Sequence, residues 1–149
     1  MLNYSSSQIV LQEVPGEISL ALSISGCNLQ CKGCHSKDTW NNKFGKPLTL
    51  EELSGLIIKN KYLTCVLFYG GEWDIEYLLK LVSLVRSYNL NVALYTGRDL
   101  SFFENDFINA LDFIKVGKYN EKLGGLNDKT TNQKMYKITN GELELLKFV

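Results

Sequence analysis

Three of the four cysteines and the single histidine lie in one short segment, 27–35. Cys27, Cys31 and Cys34 form a C-x3-C-x2-C pattern, and His35 follows the third cysteine directly. Thiolate and imidazole groups bind iron, zinc and haem, and paired thiols also carry out redox exchange. The pattern is therefore compatible with four kinds of site: covalent haem, tetrahedral zinc, a redox dithiol and a three-thiolate iron–sulfur cluster.

Three of these four kinds of site fit the pattern poorly. Covalent haem is usual in exported proteins, takes two thiols and one histidine, and leaves Cys27 unexplained. A zinc site would need the adjacent residues Cys34 and His35 at two vertices of one tetrahedron, and no second C-x2-C pair follows. A dithiol at Cys31 and Cys34 also gives Cys27 no function. A 4Fe-4S cluster uses all three thiols and leaves one iron open to a ligand.

The composition is typical of a globular protein. At 149 residues, a single domain, 1–149, is the simplest organisation. Sixteen basic residues balance sixteen acidic ones, so no global field favours nucleic acid or an anionic membrane. The amino terminus has neither the basic nor the apolar part of a secretory signal, and no apolar run reaches the length of a membrane span. We therefore expect a cytoplasmic protein, where clustered cysteines bind metal more often than they form disulfides.

Strands alternate with helices along the chain. Thr49 with Glu52 forms a capping box that predicts one helix, and Asp74 is a predicted cap for a longer one. Ser101 with Glu104 predicts a third, short helix. Apolar alternation and buried apolar runs predict strands at 9–13, 18–25, 65–69, 92–95, 112–116, 135–139 and 142–148.

Repeated strand–helix units predict an α/β fold with right-handed crossovers and a mostly parallel sheet. Asn140-Gly141 between the last two strands is the preferred turn of a hairpin, so we expect a C-terminal β-hairpin. A closed eight-stranded barrel typically needs about 250 residues. An open partial (βα) barrel therefore fits the length better.

Each of the four inner strands ends in a turn that contains glycine. Ligands of open α/β sheets bind at the carboxyl ends of the strands, and glycine lets the backbone approach a ligand closely. The cysteine segment begins at the first of these ends. The turns are Ser25-Gly26, Tyr69-Gly70-Gly71, Thr96-Gly97 and Val116-Gly117.

The C-x3-C-x2-C pattern after the first inner strand, with Gly70-Gly71-Glu72 after the second, resembles the radical S-adenosylmethionine (SAM) superfamily. The resemblance implies a 4Fe-4S cluster held by Cys27, Cys31 and Cys34, with SAM chelating the open iron. It also implies reductive cleavage of SAM to a 5′-deoxyadenosyl radical that removes a hydrogen atom from the substrate.

Within the superfamily the chain is most similar to the activating proteins of anaerobic, class III ribonucleotide reductases. This likeness implies that a glycyl radical is installed on the large subunit of the reductase, with an electron donor of the flavodoxin type. Besides the cysteines and the Gly70-Gly71-Glu72 turn, it is carried by Gly33, Thr39-Trp40, Tyr95-Thr96-Gly97, the run 117–125 and Thr131-Asn132-Gln133.

The resemblance also suggests which residues hold SAM. Gly70, Gly71 and Glu72 would accept hydrogen bonds from the methionine ammonium, since its three N–H groups need carbonyl or carboxylate acceptors. Thr96 and Lys115 would also reach SAM, the lysine through the carboxylate. His35 would pack beside the adenine.

Trp73 stands where relatives often have proline. The fourth cysteine, Cys65, starts a buried strand and is expected to be a small core residue.

Two other classes of function remain open from the sequence. One is a related radical enzyme with a different target, such as the activase of pyruvate formate-lyase or an enzyme of deazapurine synthesis; such relatives tend to be longer. The other is a metal module without enzymatic activity, either an electron carrier or a zinc-stabilised domain. Such a module predicts no affinity for SAM.

Overall fold

A computed structural model describes residues 2–25, 45–117 and 133–146. The three clustered cysteines and His35 lie outside the described residues, as do Gly26, Gly33, Thr39-Trp40, most of the run 117–125 and Thr131-Asn132. The predictions made for these residues therefore stay predictions.

The described strands form one eight-stranded sheet with the order β3-β1-β2-β4-β5-β6-β7-β8. Three helices, α1 (Leu50–Lys59), α2 (Ile75–Ser87) and α3 (Asn105–Asn109), connect its inner strands. The strands are β1 (Asn3–Val10), β2 (Ser19–Ile24), β3 (Lys46–Pro47), β4 (Cys65–Tyr69), β5 (Asn91–Tyr95), β6 (Phe113–Val116), β7 (Lys134–Thr139) and β8 (Glu142–Leu146).

The four central strands, β2, β4, β5 and β6, pair in parallel. The outer strands β1, β3, β7 and β8 are antiparallel to their neighbours. The predicted α/β class with a parallel central sheet is confirmed, and so is the C-terminal hairpin. Its turn has Asn140 at φ 51° and Gly141 at φ 82°, the left-handed conformations that a tight hairpin turn requires.

The first strand differs from the prediction for residues 9–13, because β1 runs from Asn3 to Val10 and residues 11–13 lie beyond it. Its pairing with β2 extends from Tyr4 opposite Ile24 to Val10 opposite Ser19. The run Ser5-Ser6-Ser7-Gln8 carries no apolar alternation, because this part of the outer strand is largely exposed. Backbone pairing, rather than burial of side chains, defines β1.

Two of the three predicted helix starts are confirmed. The Thr49 side chain accepts a 3.0 Å hydrogen bond from the Glu52 amide, and the Asp74 carboxylate accepts one from the Tyr77 amide. The Glu52 carboxylate accepts a hydrogen bond from the Tyr4 hydroxyl, which ties α1 to β1. Side-chain caps of this kind satisfy amides that have no partner within the helix.

The capping box predicted at Ser101 and Glu104 is wrong. Leu100–Phe102 is a single 3₁₀ turn, and α3 begins after Glu104, whose side chain makes no capping hydrogen bond. Phe103 between them is buried with an extended backbone, at φ −102° and ψ 143°. Burial of the Phe103 ring therefore separates the 3₁₀ turn from α3, which the predicted capping box had treated as one helix.

Apolar side chains fill both faces of the sheet. The larger cluster lies between the sheet and the helices and includes Leu22, Phe68 and Leu94. The smaller cluster uses the alternate strand positions, which point to the opposite face; there Val14 packs with the side chains of Ala21, Cys65, Leu67, Ala93, Phe113 and Met135. No helix among the described residues has both the length and the apolar character needed to cross a membrane.

We expect Phe68→Ala to lower the free energy of unfolding by about 3–5 kcal/mol, because the ring is fully buried and its removal leaves a cavity. The matched change Phe102→Ala affects a ring that is 47% exposed and should cost about 1 kcal/mol or less. Urea unfolding followed by circular dichroism measures both values. Similar losses for the two variants would contradict the assignment of Phe68 to the core.

Candidate cofactor site at the carboxyl ends of the parallel strands

The carboxyl ends of the four parallel strands meet at one edge of the sheet. Ser23, Tyr69, Tyr95 and Lys115 lie opposite one another in a single row across β2, β4, β5 and β6. Residues just beyond this row therefore gather at the same edge, although they are far apart in the sequence. They include Ser25, the turn Gly70-Gly71-Glu72 and Thr96.

The turn after β4 depends on two glycines. Gly70 and Gly71 have φ of 93° and 110°, a left-handed region that other residues rarely adopt. A Cβ added to Gly70 would lie 2.8 Å from Cη2 of Trp73, so the indole occupies the space above this glycine. The turn thus bends sharply enough to bring the Glu72 side chain back to the strand ends.

Glu72 is an acidic residue that is only 3% exposed. Its Oε1 accepts a 2.6 Å hydrogen bond from Oγ1 of Thr96. Its Oε2 is buried and has no hydrogen-bond partner among the described residues. A buried carboxylate oxygen without a donor is costly, and a ligand with N–H groups would remove that cost.

Thr96 is held from both sides at the end of β5. Its amide donates a 2.9 Å hydrogen bond to the carbonyl of Lys115, and its Oγ1 accepts one of 3.1 Å from the Arg98 amide. The Gly70 amide in turn donates to the Tyr95 carbonyl at 2.9 Å. Backbone hydrogen bonds thus fasten the ends of β4, β5 and β6 to one another.

Lys115 stands over an aromatic ring. Its Nζ lies 4.5 Å from the centroid of the Tyr95 ring, and Tyr69 meets the same ring edge to face at 5.5 Å. Burial raises the pKa of Tyr69 to about 12 and also raises that of Tyr95, so both phenols are neutral near pH 7. Glu72 and Thr96 are in contact just beyond the row of strand ends. Lys115 lies in that row, opposite Tyr95.

Ser25 is a further candidate residue of the cofactor site, and no motif in the sequence pointed to it. It follows β2 directly, is 1% exposed, and its Oγ has no hydrogen-bond partner among the described residues. The cysteine segment begins two residues later. Its sequence context could have indicated it, because Ser25 is a polar residue between an apolar strand and the cysteine segment.

Cys65 lies away from this edge, at the start of β4. It is fully buried in the smaller apolar cluster, as predicted. Burial is the main cause that raises the pKa of its thiol to about 12. Such a thiol is protonated at neutral pH and is a poor nucleophile or metal ligand.

We expect Cys65 to resist alkylation by iodoacetamide at pH 8 in the folded protein, because only about one thiol in ten thousand is ionised four units below its pKa. Unfolding in urea should make it react. Raising the pH should increase the rate, since the thiolate fraction grows about tenfold per pH unit well below the pKa. Peptide mapping by mass spectrometry locates the modified cysteines, and modification of Cys65 before unfolding would contradict its burial.

Comparison with known proteins gives a consistent result for most of the chain. A family model described as a 4Fe-4S single cluster domain matches residues 15–139. This range includes the three clustered cysteines as well as Glu72, Thr96 and Lys115. The family agrees with the iron–sulfur cofactor predicted from the cysteine spacing.

Three relatives illustrate the similarity. The pyruvate formate-lyase-activating enzyme of Clostridium pasteurianum is 34% identical over 101 residues, which are 63% of this chain and 42% of that enzyme. The anaerobic ribonucleoside-triphosphate reductase-activating protein of Enterobacteria phage T4 is 26% identical over 133 residues, 82% of this chain and 85% of that protein.

The Escherichia coli K12 protein of the same name as the T4 relative is 27% identical over 118 residues, 68% of this chain and 75% of its own length. The resemblance to radical SAM activating enzymes, first indicated by the cysteine and glycine motifs, is thereby confirmed, and the chain belongs to the 4Fe-4S single cluster domain family.

Proposed function

We propose that the protein is a radical SAM activating enzyme that installs a glycyl radical on an anaerobic ribonucleotide reductase. The observation that carries this proposal is the buried Oε2 of Glu72, which lacks a donor among the described residues at the edge where the cysteine segment begins. The methionine ammonium of SAM is a donor of the required charge. The family match over residues 15–139 supports the iron–sulfur part of the proposal.

The cysteine segment would hold the cluster. Cys27, Cys31 and Cys34 would supply three thiolates and leave one iron open to SAM. When bound, the cluster and SAM together supply one-electron chemistry that ends in hydrogen-atom abstraction. His35, next to the third cysteine, is proposed to pack beside the adenine.

The ends of β4, β5 and β6 would bind the methionine part of SAM. Gly70 and Gly71 form the left-handed turn that brings Glu72 to the strand ends. Their carbonyls and the Glu72 carboxylate are proposed to accept hydrogen bonds from the ammonium. The Lys115 ammonium, held over Tyr95, is proposed to attract the methionine carboxylate. Opposite charges thus face the two ends of the amino acid.

The proposed target follows the relatives that share the longest part of the chain. The T4 and E. coli proteins are named as activators of anaerobic ribonucleoside-triphosphate reductase, and the T4 match spans 133 residues. Pyruvate formate-lyase is the second candidate target, because its activating enzyme has the higher identity, 34% over 101 residues.

The proposal extends to the fold and the partners. Residues 1–149 would form one domain in which the sheet curves into an open partial barrel. A glycine-bearing loop of the reductase large subunit would enter the open side, and a reduced protein of the flavodoxin type in the cytoplasm would supply the electron. Tyr69, Tyr95 and Lys115 lie on the sheet face opposite the three described helices, and this is the face that such a loop would meet.

Replacing Glu72 by Gln should raise the Kd for SAM about tenfold or more, since a hydrogen bond to a charged group is worth about 1.5–3 kcal/mol. Glu76→Gln is a matched control, because Glu76 is exposed in the first turn of α2. Equilibrium dialysis of the anaerobically reconstituted protein measures both constants. Equal affinities in the two variants would show that Glu72 does not hold SAM.

The enzymatic proposal is tested by anaerobic reduction with dithionite in the presence of SAM. We expect 5′-deoxyadenosine from the reconstituted protein and from Cys65→Ala, but none from Cys31→Ala, which loses a cluster ligand. Addition of anaerobic ribonucleotide reductase should produce a glycyl radical detectable by electron paramagnetic resonance. A radical on pyruvate formate-lyase alone would redirect the proposal to the second target. Stoichiometric zinc without cleavage would refute the enzymatic function.

A further inference from the structure

Thr96 contacts the carboxylate that is proposed to bind SAM, and its hydroxyl group already donates its one hydrogen to that carboxylate. We propose that Thr96 is a positioning residue that fixes the Glu72 carboxylate, so that Oε1 is occupied and Oε2 faces the methionine ammonium. This inference rests on the proposed binding of SAM by Glu72. It differs from the expectation that Thr96 itself contacts SAM.

The count of hydrogen atoms supports this role. A threonine hydroxyl has one hydrogen to donate and two lone pairs that accept. The Arg98 amide, a donor, occupies a lone pair at 3.1 Å, and the hydroxyl donates to Oε1 of Glu72 at 2.6 Å. The latter distance is typical of an O–H group that donates to a carboxylate. The one hydrogen of the hydroxyl is therefore committed to the Glu72 carboxylate.

Thr96 and Glu72 also differ in how firmly the backbone around them is held. Thr96 follows β5 and is bonded through its amide to β6, at the carbonyl of Lys115. Glu72 follows two glycines in left-handed conformations, at the start of a 3₁₀ turn. The hydrogen bond therefore ties a carboxylate on a turn to the rigid end of the sheet, which limits its rotamers before any ligand binds.

Burial makes the arrangement selective for one oxygen. Thr96 is 5% exposed and Glu72 is 3% exposed, so water has little access to either side chain. With Oε1 bonded to Thr96, the oxygen left without a donor among the described residues is Oε2. Oε1 thus bonds to Thr96, and Oε2 is left for the ligand.

A double-mutant cycle on the reconstituted protein tests the inference through the Kd for SAM. Thr96→Val keeps the shape of the side chain and removes the hydroxyl, and we expect it to raise the Kd about tenfold. Thr96→Ser keeps the hydroxyl and should stay within about twofold of the unchanged protein. In a Glu72→Gln background, Thr96→Val should add less than about a twofold change, because an amide nitrogen replaces the oxygen that Thr96 directs toward SAM.

The loss of the acceptor for the Arg98 amide occurs in both backgrounds, so it cancels in the cycle. Equal effects of Thr96→Val in both backgrounds would overturn the inference and show that Thr96 acts on SAM directly. No effect in either background would also overturn it. If Thr96→Val lacks a native circular dichroism spectrum, Thr96→Ala replaces it in the same cycle. Absence of SAM binding by the unchanged protein would instead refute the proposed function.

Discussion

The hydrogen bonds that pair β2, β4, β5 and β6 in parallel impose the constraint on which the candidate site depends. Because all four strands point the same way, their carboxyl ends meet at one edge, and residues as distant as Ser25, Glu72 and Lys115 are brought to it. The antiparallel strands β1 and β7, on either side of these four, have their amino ends at that edge. Parallel pairing therefore brings together residues of the candidate site that are far apart in the sequence.

Burial of the Glu72 side chain determines which ligands this edge of the sheet can bind. Burial of a carboxylate that is 3% exposed costs free energy for each oxygen without a donor, and the sheet supplies one donor through Thr96. The position left open at Oε2 would suit a cationic N–H donor, which is the group that the proposed binding of SAM supplies. The free cysteine Cys65 shows the opposite case, because the apolar core keeps its thiol neutral and unreactive.

Much of the fold is visible in the sequence where side-chain burial is periodic or a cap is local. The apolar run of β4 and the caps at Thr49 and Asp74 are examples. Prediction fails where backbone pairing or a tertiary contact decides, as at β1 and at Phe103. The contact between Glu72 and Thr96 spans 24 positions in the chain, so the motifs suggest both residues but not that one holds the other.

The most direct test of the account is an anaerobic crystal structure of the reconstituted protein with SAM. The account predicts that the methionine nitrogen lies about 2.6–3.2 Å from Oε2 of Glu72, while Oε1 keeps its hydrogen bond to Thr96. It also predicts three cysteine ligands on the cluster, from Cys27, Cys31 and Cys34. A methionine ammonium bound away from the ends of β4 and β5, with Glu72 unchanged, would contradict the central claim.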